Sequence, residues 1–216
     1  MTSFSWTTWH DGYADPDSDL SHRLSHVKRR LAAALDAAPP GPIRLISLCA
    51  GEGRDVIGVL PDHPRRVDVT ARLVELDPEI AGKARSAAAA AGLNGVEVIA
   101  GDAAIVGNYV DLVPADVIVA CGIFGNIEDD DIKNTIRGLR QLAAPGARVL
   151  WTRHRKAPDL TPAVRSWFGE AGFEDVAFDH EEGRSFGVGT QRFAGVTAPL
   201  EPENRLFTFR PRDHSG

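Results

Sequence analysis

The sequence predicts an α/β fold, a doubly wound and mostly parallel sheet with helices on both faces. Three observations predict it. Between Ile43 and Ala171, short apolar runs bounded by turn signals alternate with helical patterns of about 10–15 residues. The first of these runs exits into a glycine turn, Cys49-Ala50-Gly51-Glu52-Gly53. Beyond Gly172 the helices stop, and the tail reads as successive strands added antiparallel to one edge.

The elements follow in order. Leu20, Leu24, Val27, Leu31 and Leu35 recur at three- and four-residue steps, an amphipathic helix stopped by Pro39-Pro40-Gly41-Pro42. Ile43–Cys49 is a buried strand. After the glycine turn, Arg54–Leu60 opens a helix that Pro61 ends. Thr70–Leu76 is the second strand, and Asp77-Pro78-Glu79 starts an Ala-rich helix ending at Ala91-Gly92. Val96–Ala100 and Asp116–Cys121 are the third and fourth strands, and Asp129–Leu142 is the next helix. Pro145-Gly146 turns the chain into a fifth strand, Arg148–Thr152, and Pro162–Ala171 is a helix closed by Gly172. Glu174–Asp179, Ser185–Phe193 and Leu206–Phe209 are the strand-like tail segments.

The 216 residues suit one domain, residues 20–216, preceded by an aromatic, acidic arm over residues 1–19. With 43% hydrophobic and 25% charged residues the composition is that of a soluble globular protein. No apolar run reaches membrane-spanning length, and Met1–Leu20 lacks a basic leader, so the expected compartment is cytoplasmic. Cys49 and Cys121 are too few for a disulfide scaffold and read as reduced. They end strands expected to be neighbours, so either they approach near the cleft or they are small packing residues. Against 30 Asp+Glu there are 24 Lys+Arg, a net charge of −6, which offers nucleic acid or an anionic membrane no general attraction.

In an open α/β sheet the ligand crevice lies beyond the carboxyl ends of the strands. Gly51 and Gly53 sit at the first such exit, where glycine permits positive φ and close approach of a ligand. Glu75 ends the second strand, where a carboxylate can accept hydrogen bonds from ribose hydroxyls. Asp102 follows the third, placed to accept from an adenine amino group. Each could instead be a turn or cap acid, but Asp77, followed by Pro78, is the better helix cap. A dinucleotide fingerprint would require a third glycine at position 56, which is Val56, and no P-loop lysine follows the turn.

The strand, its turn, the two acids and the Pro145-Gly146 turn together resemble class I S-adenosylmethionine-dependent methyltransferases over residues 43–193. Leu48–Asp55 and Cys121–Ile127 also look like an uncharacterised bacterial subgroup of them. The sequence departs at Ser47 and Cys49, where the family often has an acid and a glycine. The resemblance implies a seven-stranded sheet with the last strand antiparallel, and S-adenosylmethionine as cofactor. It implies that Gly51 and Gly53 lie against the methionine moiety, Glu75 at the ribose and Asp102 at the adenine. Cys49, Ala50, Asp55, Leu76, Ala103, Cys121 and Gly122 would line the same cleft, and Asn126 would flank the transferred methyl.

On the acceptor side no nucleophile motif is expected, because methyl transfer needs chiefly positioning and water exclusion. Phe124 offers a ring to a cation or is core. Asn126 orients the acceptor or caps a helix. Arg153 and His154 leave the fifth strand, alternation sending them to opposite faces. His154 is the candidate base, against the reading of a solvated basic loop. If the basic cluster is functional, the acceptor is a small molecule carrying a carboxylate or phosphate. His10 and Tyr13, with Trp6 and Trp9, form either a lid over the acceptor or a docking or dimer contact. His22 and His26 are four apart on the first helix, but no third ligand accompanies them there, so no metal is expected. The rival readings are an NAD-dependent oxidoreductase and a catalytically silent cofactor-binding protein.

Overall fold

A computed structural model describes residues 15–211 of the chain. Helix α1 (Asp19–Asp36) starts at Ser18, whose hydroxyl accepts from the Ser21 N–H. The strands are β1 (Ile43–Leu48), β2 (Val69–Glu75), β3 (Val96–Ala100), β4 (Ala115–Ala120), β5 (Ala143–His154), β6 (Phe173–Asp179) and β7 (Phe186–Phe193). Helices α2 (Pro78–Ala90), α3 (Asp129–Leu142) and α4 (Thr161–Glu170) lie between them. The seven strands form one sheet in the order β3-β2-β1-β4-β5-β7-β6. All neighbours are parallel except β7, which runs antiparallel to both β5 and β6. The strand order reverses between β1 and β4, so the crevice opens at their carboxyl ends.

Alternation along the strands divides the core in two. Ile46 and Leu48 of β1, with Ile118 and Ala120 of β4, pack under α3 and α4. Leu45, Val117 and Val119 face α1 and α2 on the other side. Trp151 of β5 is fully buried and stands opposite Gly189 of β7, where any Cβ would run into its indole ring. Among the described residues no helix is long and apolar enough to cross a membrane.

Three expectations are corrected. The helix expected over Arg54–Leu60 is a run of turns leading into a 3-10 turn at Leu60–Asp62. The bonds Ile57 N–H to Gly53 O and Leu60 N–H to Val56 O begin helical turns, but Pro61 has no N–H to continue them. The fifth strand begins earlier than expected, because β5 pairs through Ala143, loops out around Pro145-Gly146 and resumes its pairing at Arg148. Leu206–Phe209 joins no sheet. Its apolar side chains reflect packing instead, with Leu206 and Phe207 buried and Leu206 against Gly138 of α3, while isolated bridges pair Arg205 with Ile105 and Phe209 with Ile127.

Candidate active site

At the exit of β1 the chain reverses through left-handed backbone at Cys49 (φ 52°), Gly51 (φ 58°) and Gly53 (φ 69°). A Cβ on Gly53 would press on Ile57 and Leu73, so this glycine lets the turn sit down on the core. Ala50 N–H bonds to Val74 O at 3.0 Å, clamping the elbow to β2. The half-buried Glu75 completes the clamp: one carboxylate oxygen accepts from Gly51 N–H at 2.8 Å and the other from Asp77 N–H at 3.0 Å. Asp77 caps α2, accepting from Glu79 N–H and Ile80 N–H. Leu76 stands 65% exposed beside them, an apolar surface left at the rim.

Beyond β3, Gly101 N–H bonds to Glu75 O, drawing the Asp102 loop alongside. One Asp102 oxygen accepts from Ala104 N–H at 2.9 Å, and the other from the Arg205 guanidinium at 2.7 Å. Ala103 is buried, and its carbonyl accepts from the Tyr109 hydroxyl. Burial pushes the Cys49 thiol well above the usual range, and the negative charges of Glu75 and Asp102 add to the effect.

Asp55 and Cys121 belong to the other face. Asp55 is buried beneath α1, and burial raises its carboxyl despite a hydrogen bond from Val56 N–H and the nearby charges of Lys28 and Arg23. Burial also raises the Cys121 thiol, with the Asp55 charge as the next cause. Cys121 packs on Val27, Phe186 and Val188, while Cys49 packs into the core under α3 and α4. The sheet therefore separates the two thiols, which are free, and they are not the approaching pair one reading allowed.

The β4–α3 loop is tied from within. Gly122 (φ 77°) donates its N–H to Thr152 Oγ1, and the Asn126 side chain donates to Gly122 O, both at 2.8 Å. Phe124 is fully buried against Trp151 and Phe168, so it is core and presents no ring to the cleft. Arg153 is 6% exposed and donates to Phe124 O, its buried Nε having no partner. That burial removes it from substrate contact, and its long side chain brings it to the same loop as His154 despite the alternation. A Cβ on Gly125 would lie 3.2 Å from the His154 ring. His154 Nδ1 is buried and unpartnered. Burial, then the charges of Arg153, Lys156 and Arg210, hold this imidazole below the usual histidine range.

His10 and Tyr13, with Trp6 and Trp9, lie outside the described residues. His22 and His26 do meet a carboxylate, Glu181 of the β6–β7 turn, at 2.9 and 2.6 Å. Among the described residues no group of three or more candidate ligands could hold a metal ion. The contact instead docks α1 on the hairpin. Thr152, Arg205 and Arg210 escaped the sequence reading. The last two come from the tail, and only the fold brings them to the cleft.

No family model and no curated protein matches the chain. Solved structures do. Magnesium protoporphyrin IX methyltransferase from Synechocystis PCC 6803, solved with bound S-adenosylmethionine, superposes with a TM-score of 0.67 at 13% identity, covering 89% of this chain and 92% of that one. The 1,6-didemethyltoxoflavin-N1-methyltransferase of Burkholderia thailandensis, solved with S-adenosylhomocysteine, gives 0.60 at 18%, over 88% and 85%. An O-methyltransferase family protein from Burkholderia thailandensis gives 0.59 at 17%, over 83% of this chain, which spans only 60% of that longer one. The shared feature is the fold: the chain has the seven-stranded Rossmann-like sheet of class I methyltransferases.

Proposed function

We propose that this chain transfers a methyl group from S-adenosylmethionine to a small, anionic acceptor. The observation that carries the reading is the Glu75 carboxylate bonded to the left-handed elbow at Gly51, with the Asp102 loop tied to Glu75 through Gly101 N–H. The residues fit the cofactor. A carboxylate suited to ribose hydroxyls ends β2, an exposed Leu76 offers a base an apolar surface, and a second carboxylate lies one strand further out. Ala50, Gly51, Gly53, Gly122 and Cys49 form the floor, with Ala103 and Cys121 supporting it from the core. Asp55 supports the elbow from beneath α1.

When bound, S-adenosylmethionine supplies an electrophilic methyl on a sulfonium. The chain's own contribution is positioning and exclusion of water, since the displacement needs no protein nucleophile. Asn126 acts by holding the β4–α3 loop closed on Gly122. His154 stands over that loop with its pKa depressed, so it is neutral near pH 7 and able to accept a proton from an acceptor hydroxyl or amine. Of the positive charges that help depress it, Arg210 is paired with Glu128, and Lys156 favours a carboxylate or phosphate on the acceptor. The small-molecule acceptors named for the porphyrin and toxoflavin enzymes support that size class. Residues 1–19, carrying His10 and Tyr13, serve in this reading as a lid over the domain formed by residues 20–216.

Calorimetry with S-adenosylhomocysteine and NADH tests the assignment. Binding of the first alone is expected, and binding of NADH alone would replace methyl transfer with hydride chemistry.

A further inference from the structure

We infer that Arg205 is a positioning residue for nucleobase recognition, fixing the Asp102 carboxylate toward the exocyclic amino group of adenine. The inference rests on the methyl-transfer reading above. Asp102 lies on a loop with a 39% exposed side chain, and the local Ala104 N–H restrains only one of its carboxylate oxygens. The tail supplies what the loop lacks. Residues 202–206 run beside residues 104–107, with Gly107 N–H on Pro202 O, Val106 N–H on Asn204 O and Leu206 N–H on Ala104 O, all between 2.8 and 3.0 Å. Leu206 and Phe207 are buried, so packing holds this strap in place. The Arg205 guanidinium is fixed in turn by Phe207 O at 3.3 Å and reaches Asp102 at 2.7 Å.

With Ala104 N–H on one oxygen and Arg205 on the other, the carboxylate plane is set. A carboxylate has about four acceptor positions, so lone pairs remain for a ligand's N–H. Adenine presents a donor there, whereas hypoxanthine presents a carbonyl oxygen that the same carboxylate repels. The strap thereby sets the base preference of a site whose Asp102 lies 103 residues earlier in the chain.

The test is calorimetry on the full chain with S-adenosylhomocysteine and S-inosylhomocysteine, comparing wild type, Arg205→Ala and Arg205→Lys. Arg205→Ala should weaken the adenine ligand about fivefold, the upper range for an exposed ion pair, and narrow the adenine-to-hypoxanthine ratio by a similar factor. Arg205→Lys should fall between. Arg205→Gln gives the same comparison if the alanine variant melts. An unchanged ratio overturns the inference, whether both ligands weaken equally or neither does, and so does tighter adenine binding. Wild-type protein that binds neither ligand overturns the methyl-transfer reading itself, and the inference with it.

Discussion

Glu75 accepts a hydrogen bond from the Gly51 backbone N–H at 2.8 Å, joining the end of β2 to the elbow that follows β1. The same carboxylate holds Asp77 N–H, so it fixes the local backbone in addition to its proposed ribose role. Glu75→Ala removes both duties. Two hydrogen bonds to a charged group are worth roughly 1.5–3 kcal/mol each, which corresponds to a loss of two to four decades in S-adenosylhomocysteine affinity by calorimetry. A loss of tenfold or less would argue against the ribose role.

As the base of the proposed transfer, His154 would set its pH dependence. Its pKa is lowered in the folded chain, so the neutral form persists below the usual histidine range. Rate should therefore be flat from neutral pH upward and fall only in acid. His154→Gln should lose about 10²–10⁴ in kcat if the acceptor must shed a proton, with cofactor affinity kept. The depressed pKa also opposes folding at low pH. Below the ordinary histidine value the unfolded chain takes up this proton first, and stability declines as pH falls toward the folded value.

Deleting residues 1–16 separates the two halves of the site. The lid reading expects transfer to be lost while S-adenosylhomocysteine binding is largely retained. Retained turnover would show the arm to be a docking or dimer contact.

Asp179 ties α1 to the β6–β7 hairpin through Arg30, with contacts of 2.5 and 2.6 Å. The Arg30 hydrogen bonds hold its carboxyl below the usual range, and the charges of Arg30, Arg29 and His26 contribute further. The pair therefore stabilises the fold above the ordinary aspartate pKa, and that stability is lost as pH falls through the depressed one. Asp179→Asn should cost about 2–3 kcal/mol in urea denaturation at pH 7. Amide exchange should show α1 loosening first.

Gly189→Ala tests the core. The methyl would meet the Trp151 indole across the β5–β7 ladder. Overpacking of this kind costs about 1–3 kcal/mol, or about 2–4 °C in Tm for each kcal/mol in a domain of this size.

The helices and strands that were legible share one property: their pattern is local. Apolar steps from Leu20 to Leu35 mark α1, Asp77-Pro78 caps α2, and the apolar period spans Asp129–Leu142, because period and cap lie within a few residues of one another. Arg54–Leu60 was misread because Pro61 cuts the helix before packing can stabilise it. Leu206–Phe209 looks like a strand in sequence because an apolar run packed on α3 has the same composition as a sheet edge.

By itself, the sequence determined the parallel α/β alternation, the glycine elbow and the acids that follow β2 and β3, since each depends on neighbours along the chain. Only the tertiary structure decided what those acids touch. It paired Asp102 with Arg205, put the Arg153 guanidinium on the carbonyl of a buried Phe124, and set Cys49 and Cys121 on opposite faces. These contacts join residues far apart in sequence, and burial and charge act through space, so no local pattern encodes them.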